Sequence, residues 1–303
     1  MKRVLPFIIA LSGAVLLWAA WPVSPLTILI FVAWMPMLWL EANVSSWKKF
    51  VGYSLLHMLL WNVATTWWVG LASVVGSIGA FVVNSIVMTV PWLLFYITRR
   101  KCGNKIGYAG LIVYWLAFEF LHHNWDLSWP WLTLGNSFAT NPQWVQWYQY
   151  TGASGGTAWI LLTNILAWSL FQHYRDGQRG YAYRLRLGAL VLLLTAPILI
   201  SRWIAGAEGR IASKAFAEAD RNIVVVQPNI DPYTEKFTGS VESQIEKLIT
   251  LSERSINRNT RLVIWPETAI PAQVRELNQR RFSLPRCLVI FKTPSQYQPS
   301  FRD

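Results

Sequence analysis

Long apolar runs alternate with short polar segments over the first two thirds of the chain. Crossing the hydrocarbon core of a bilayer takes roughly 20 mostly apolar residues in a helix. Seven runs are long enough, although the second is short, and the pattern therefore predicts a polytopic α-helical membrane domain with about seven spans. The predicted spans cover residues 4–20, 26–40, 51–71, 74–98, 107–122, 157–172 and 187–204.

The basic residues supply an orientation for these spans, because lysine and arginine are retained in short cytoplasmic loops. They cluster before the first span and in every second loop, at Lys2, Arg3, Lys48, Lys49, Arg99, Arg100, Lys101, Lys105, Arg175, Arg179, Arg184 and Arg186. The other three loops contain neither residue type. The alternation predicts a cytoplasmic N-terminus and places the segment after residue 204 outside the cytoplasm. A cleaved signal peptide is the alternative for the first run, but the second run follows at once and favours a retained span.

Composition changes near residue 205, since 18 of the 19 tryptophans lie at or before Trp203. We therefore predict a membrane domain at 1–205 and a second domain at 222–303. The net charge of +12 could suggest a nucleic-acid partner, but the cations lie in short clusters between apolar runs, as membrane orientation requires. Cys102 and Cys287 lie on opposite sides of the membrane in this topology and cannot pair. No metal or cofactor site is predicted.

The pattern beyond residue 205 is that of an α/β unit. Residues 223–226 form a β-branched run, and 262–265 form a second strand that Pro266 ends. Between them Val241, Ile245, Leu248 and Ile249 recur at helical spacing, with Ser240 as a candidate N-cap. Strand, helix and strand in this order predict a βαβ unit with parallel strands. Glu267 follows the second strand, at the sheet edge where α/β proteins place functional groups, although a surface glutamate is the simpler interpretation.

Two segments resemble a known family. Residues 225–230, Val-Val-Gln-Pro-Asn-Ile, and residues 263–267, Val-Ile-Trp-Pro-Glu, are similar to the opening of a nitrilase-type (carbon-nitrogen hydrolase) domain. Joined to seven N-terminal spans, and with Trp129-Pro130-Trp131, Leu134-Gly135-Asn136 and Gly152-Ala153-Ser154-Gly155 in the loop before the sixth span, the chain resembles the apolipoprotein N-acyltransferases of bacterial inner membranes. The quoted resemblance extends from the first span to about Leu277.

The resemblance implies acyl transfer from a phospholipid donor to the N-terminal diacylglyceryl-cysteine of an apolipoprotein, by a monomeric enzyme whose C-terminal domain is periplasmic. In the family a cysteine thiolate forms a thioester with the acyl chain, a glutamate accepts the thiol proton and a lysine stabilises the oxyanion. Glu267 matches the glutamate and is the one predicted catalytic residue. Cys287 does not match the family motif of the nucleophilic cysteine, and Lys292 does not match that of the oxyanion-stabilising lysine.

These departures lead us to expect a C-terminally truncated, incomplete nitrilase-like domain and no acylation by residues 1–303 alone. A frameshift or premature stop near codon 280 would produce the unusual tail, and sequencing the downstream DNA would test this. A membrane transporter or scaffold remains an alternative function, as does a membrane-tethered carbon-nitrogen hydrolase relative with another acceptor.

Several polar residues lie within the predicted spans. Ionisable groups at such depth are often functional, which leaves Glu119 open between a substrate-region role and simple proximity to the outer interface. His57 is a further intramembrane polar residue. Asn62, Asn84 and Asn164 are predicted to form hydrogen bonds between helices. The tryptophan-rich loop at 123–156 is predicted to be an interfacial aromatic belt rather than an arm beside a substrate entrance.

Overall fold

The computed structural model describes residues 4–22, 24–218, 222–230, 240–266 and 288–289. Contacts divide the chain into two compact units, Met1–Glu208 and Gly209–Asp303. The α-helices are α1 Leu5–Ala20, α2 Met35–Asn43, α3 Trp47–Thr66, α4 Val74–His122, α5 Tyr148–Arg175, α6 Tyr181–Glu218 and α7 Val241–Glu253. The strands are β1 Asn222–Val225, β2 Thr260–Ile264 and β3 Leu288–Val289, and short 3-10 helices occupy Thr27–Phe31, Trp67–Leu71, Pro130–Leu132, Leu134–Phe138 and Pro142–Trp144.

Helices lie at all seven predicted spans of the first unit. Two helical segments of the described chain, Val74–His122 and Tyr181–Ala207, are long and apolar enough to cross a membrane. Leu5–Ala20 and Thr27–Asn43 are shorter apolar segments. The helical, apolar character of the first unit fits a membrane domain, while the count of seven crossings stays a prediction.

Helix α4 is a hairpin of two helices, because Gly103 breaks it with a φ of 82°. The Thr98 hydroxyl lies 2.9 Å from the Tyr114 hydroxyl. Sixteen residues of continuous helix would separate these positions by about 24 Å. Gly107 allows the close approach after the turn, since a Cβ there would lie 2.7 Å from the Arg99 Cα. The predicted boundary between the fourth and fifth spans is therefore a glycine turn.

The second predicted span is not one continuous helix. A 3-10 segment, Thr27–Phe31, leads into α2 at Met35, which frees backbone groups that lack helical partners. Asn164 of α5 serves two of them: its Nδ2 donates to the Ile30 carbonyl oxygen at 2.8 Å, and its Oδ1 accepts from the Trp34 amide at 2.9 Å. Asn164 is 1% exposed. A break at membrane depth is tolerated when neighbouring side chains satisfy the freed groups in this way.

The same break carries Trp34 into the centre of the core. Its ring lies 5.2 Å from the ring of Trp92, 4.9 Å from that of Trp115 and 5.7 Å from that of Trp61. All four indoles are at most 1% exposed. Such offset and edge-to-face contacts between buried aromatic rings are favourable beyond the area that they bury.

Replacing Asn164 with leucine is expected to destabilise the first unit by about 2–6 kcal/mol, because the buried Trp34 amide and Ile30 carbonyl lose their partners at a cost of about 1–3 kcal/mol each. Asn164→Asp should cost less, since it can still accept from the Trp34 amide. Asn43→Leu is the control, because Asn43 is exposed at the end of α2. Thermal unfolding in detergent would measure the three variants. Equal losses for Asn164→Leu and Asn43→Leu would contradict the assignment.

The other intramembrane polar predictions are confirmed in part. Asn84 donates to the Asn62 side chain at 2.6 Å, which links α4 to α3 as predicted. His57 contacts the Ala10 carbonyl oxygen through Nδ1 at 3.1 Å. Gly13 makes room for that ring, because a Cβ there would lie 2.5 Å from the imidazole. His57 therefore joins α3 to α1.

A buried carboxyl group that the sequence did not single out lies at the opposite end of the hairpin from the loop at 123–156. Glu41, 1% exposed at the end of α2, forms ion pairs with Arg99 and Arg100. Arg100 also donates to the Glu41 and Val44 carbonyl oxygens at 3.0 and 3.1 Å, and its guanidinium lies over the Tyr96 ring. Positive charges near the C-terminal end of a helix are stabilised by the helix dipole. The basic cluster thus caps α2 as well as carrying the orientation signal.

The second unit confirms the predicted strand, helix and parallel strand. β1 pairs with β2 in parallel, with Ile223 opposite Leu262 and Val225 opposite Ile264. Ser240 caps α7 as predicted, its hydroxyl accepting from the Ser243 amide at 3.1 Å. β3, which was not predicted, extends the sheet in parallel beside β2.

Candidate functional site

The carboxyl end of β2 leads to the predicted catalytic residue. Val224, Val226 and Val263 form the apolar core of this unit with Leu248 and Trp265. Trp265 is 7% exposed, and its Nε1 donates to the buried Ser252 hydroxyl at 2.9 Å. The chain is thus anchored to α7 immediately after the strand.

The predicted catalytic residue comes after the described part of this segment. Glu267 is the second residue after Trp265 in the sequence, but it lies outside the described residues. Cys287 and Lys292 lie outside them as well. The role of Glu267 therefore stays a prediction that rests on the family resemblance.

A second group of functional candidates surrounds Glu119, at the end of the α4 hairpin. The carboxyl group is 4% exposed and accepts three hydrogen bonds. Its Oε1 accepts from the Trp115 indole at 2.9 Å and from the Leu134 amide at 2.8 Å, and its Oε2 accepts from the Thr157 hydroxyl at 2.7 Å. These donors come from α4, from the loop and from α5. Glu119 therefore holds the part of the loop that precedes α5, here called the arm (residues 123–147), against α4 and α5. We call Glu119 and its three donors the latch.

Two glycine motifs identified in the sequence lie against each other beside this latch. A Cβ on Gly135 would lie 2.0 Å from the Ala153 carbonyl oxygen, so only glycine fits. The Gly135 amide donates to the Thr157 hydroxyl at 3.1 Å, and its carbonyl oxygen accepts from the Tyr148 hydroxyl at 2.8 Å. Gly152 has a φ of 62° and interrupts α5 just before this contact. The Leu-Gly-Asn and Gly-Ala-Ser-Gly segments thus form one joint at the base of the arm.

The aromatic residues of the arm pack mostly on protein. Trp129 contacts the rings of Phe81 and Trp131, and Trp131 contacts Trp68. Trp147 lies 5.8 Å from the buried Trp159 ring. Trp125 and Trp131 are nevertheless 40% and 44% exposed. The predicted interfacial belt describes these two rings better than it describes Trp129 and Trp147.

Sequence reasoning missed the role of Thr157 in the latch and that of Tyr148 in the joint beside it. Thr157 was identified only as the start of the sixth span, and Tyr148 was only one of the aromatic residues in the loop at 123–156. Both lie one or two helical turns from the Gly152 break, where α5 meets the arm. A hydroxyl group at the first turn of an apolar helix, opposite a carboxyl group at the end of another, was the available signal.

Comparison with known proteins identifies the family. The model of the apolipoprotein N-acyltransferase N-terminal domain matches residues 13–166. An apolipoprotein N-acyltransferase of Chlorobaculum tepidum is 29% identical over 299 residues, which cover 95% of this chain and 54% of the relative. An apolipoprotein N-acyltransferase of Wigglesworthia glossinidia brevipalpis is 24% identical over 170 residues, which cover 56% of this chain and 30% of the relative.

The length of the alignment moves the end of the resemblance further along the chain and favours an enzyme among the alternative functions. Because 95% of the 303 residues are aligned with the first relative, the similarity extends beyond Leu277, where the quoted motifs placed its end. The chain spans about half the length of that relative. A match to acyltransferases over both units also favours an enzyme over the transporter or scaffold alternative. The chain belongs to the apolipoprotein N-acyltransferase family.

Proposed function

We propose that this protein takes part in N-acylation of apolipoproteins, with a membrane phospholipid as acyl donor and an N-terminal diacylglyceryl-cysteine as acceptor. The family match over residues 13–166 carries the proposal. The parallel β1–α7–β2 unit supports it, because Glu267 comes three residues after the end of β2 in the sequence, and α/β proteins gather functional groups beyond the carboxyl ends of their strands.

The proposed reaction has two acyl transfers. A thiol attacks the phospholipid ester, the bond from the carbonyl carbon to the leaving oxygen breaks, and the thiol proton passes by way of a general base to the released lysophospholipid. The acceptor amine then attacks the thioester, the bond from the carbonyl carbon to sulfur breaks, and the amine proton passes by way of the base to the released thiolate. Glu267 is the proposed base. We assign neither the nucleophile nor the oxyanion-stabilising lysine to a residue of this sequence.

A chimera tests the proposed function. Residues 1–277 of this chain would be joined to the part of the Chlorobaculum tepidum relative that follows its counterpart of Leu277. In membranes depleted of endogenous N-acyltransferase, the chimera is expected to add one acyl chain to a diacylglyceryl-cysteine peptide, as a mass increase would show. Residues 1–303 alone are the comparison and are expected to add none. A well-folded chimera without activity would overturn the proposal.

We further propose seven crossings of the bacterial inner membrane, with the N-terminus cytoplasmic and the second unit periplasmic. The alternation of basic loops supports this orientation.

The proposed orientation predicts that Cys102, which is exposed beside Gly103, faces the cytoplasm. In a Cys287→Ser background, a membrane-impermeant maleimide is expected to label Cys102 only after spheroplasts are permeabilised. Tyr150→Cys, introduced at a position that is 77% exposed on the arm side, should react in intact spheroplasts. The reverse pattern would invert the topology.

A further inference from the structure

An apolar groove opens on the surface of the α4 hairpin. Its volume is about 510 Å³, within the range of about 300–1,000 Å³ that is typical of small-ligand sites. Val90 and Leu94 line it from the first half of the hairpin, and Ala117 and Leu121 from the second. Val90, Leu94 and Leu121 are 47%, 42% and 67% exposed, so the groove is open to the surroundings of the hairpin.

The groove has about the length of the acyl chains in one leaflet. It lies on the α4 hairpin, which contains an apolar helical stretch long enough to cross a membrane. Its lining on the second half of the hairpin extends from Tyr114 to His122, which is about 12 Å at 1.5 Å per residue. This length is similar to half the thickness of a hydrocarbon core, which is about 30 Å in total. The groove ends at the side of the hairpin from which the arm leaves.

One polar side chain is buried at that end. His122 lines the groove and is 6% exposed, with its ring 5.1 Å from that of Phe118. Neither ring nitrogen has a hydrogen-bond partner among the described residues. Buried polar groups nearly always have one, and a neutral imidazole offers one donor and one acceptor. His122 therefore points to a bound group that supplies the missing contact.

A water molecule can serve one of the two nitrogens. A second cavity of about 10 Å³ also touches His122, and it is lined by Asn84 and Trp129 as well. The Asn84 Oδ1 and the Trp129 Nε1 likewise have no hydrogen-bond partner among the described residues. This volume is at the lower limit for one water. The remaining imidazole nitrogen is left for the groove.

We propose that the groove binds one acyl chain of a membrane phospholipid, with His122 donating a hydrogen bond to the ester carbonyl oxygen. An acyl ester combines the two features that the site requires: an apolar body for the groove and an acceptor at the end where His122 is buried. A helix of a second copy would cover the apolar walls, but the carbonyl oxygens along such a helix already accept hydrogen bonds within it. The site goes beyond the proposed acyl transfer, and its test needs no enzyme activity.

Photo-crosslinking tests the proposal on the full chain in vesicles of phosphatidylethanolamine and phosphatidylglycerol. A small fraction of the phosphatidylethanolamine would carry a diazirine in one acyl chain. Adducts are expected on the groove walls, near Val90 and Ala117, at least fivefold above those near Val113. Val113 is 60% exposed on the same helix but does not line the groove.

Variants separate binding from general lipid contact. Ala117→Trp should fill the groove and lower adduct formation at least fivefold, whereas Val113→Trp should leave it unchanged. If Ala117→Trp does not fold, Val90→Trp on the opposite wall replaces it as the variant that fills the groove. His122→Leu should lower the adduct yield and His122→Gln, which keeps a donor and an acceptor, should retain most of it. Unchanged yields in folded groove variants, or crosslinks mainly between two copies of the chain, would overturn the proposal.

Discussion

Replacing Glu267 with glutamine in the chimera is expected to lower the rate of acyl transfer by about 10²–10⁴-fold, the usual contribution of a general base. Glutamine keeps the size and polarity of the side chain but cannot accept the proton from the thiol or the amine. Quantitative mass spectrometry of the acylated peptide over time would give the rate. Because the loss concerns proton transfer, it should appear in kcat at saturating phospholipid.

Glu253→Gln is the matched control for this substitution. Glu253 is an exposed residue at the end of α7, and the change removes the same charge from the same unit. It should leave kcat within about twofold, since surface substitutions away from the site alter stability by only about 0.5 kcal/mol. A Glu267→Gln chimera as active as Glu253→Gln would remove Glu267 from the mechanism, while an active parent chimera would still support acyl transfer.

The helices and the parallel sheet were accessible to sequence reasoning because their signals are periodic and local. Apolar runs predicted the helices of the first unit, and Ser240 with its apolar spacing predicted α7. Asn84 and Asn164 were identified as links between helices because an amide within an apolar run needs a partner. The sequence did not indicate which backbone groups Asn164 serves, since the break at Ile30 to Trp34 is defined by its three-dimensional neighbours.

The missed features depend on contacts between distant segments. Glu41 is a lone acid at the end of a short apolar run, and its importance arises only when the hairpin returns Arg99 and Arg100 beside it. His122 resembles an interfacial histidine in sequence, and only the structure shows it buried, with neither ring nitrogen hydrogen-bonded to any residue that the structure describes. β3 has two residues, too few for a periodic signal.

Glu119→Leu is expected to destabilise the first unit by at least about 3 kcal/mol, because the Leu134 amide, the Thr157 hydroxyl and the Trp115 indole would each lose a buried acceptor at about 1–3 kcal/mol. Thermal unfolding in detergent measures this loss, at about 2–4 °C per kcal/mol for a unit of this size. Glu119→Gln should cost about 1 kcal/mol, since its carbonyl oxygen can accept two bonds and its amide can donate to the Thr157 hydroxyl.

The position of the arm distinguishes a latch from a merely well-packed residue. If Glu119 holds the arm, Glu119→Leu should increase proteolysis within residues 123–147 at temperatures well below global unfolding, because local opening precedes it. Phe120→Leu is the control: it changes the neighbouring residue, which is 70% exposed and outside the latch, and should leave both proteolysis and stability unaltered. Equal effects of Glu119→Leu and Glu119→Gln, or cleavage that appears only with global unfolding, would contradict the latch. Glu119 would then stabilise the helix pair without determining where the arm lies.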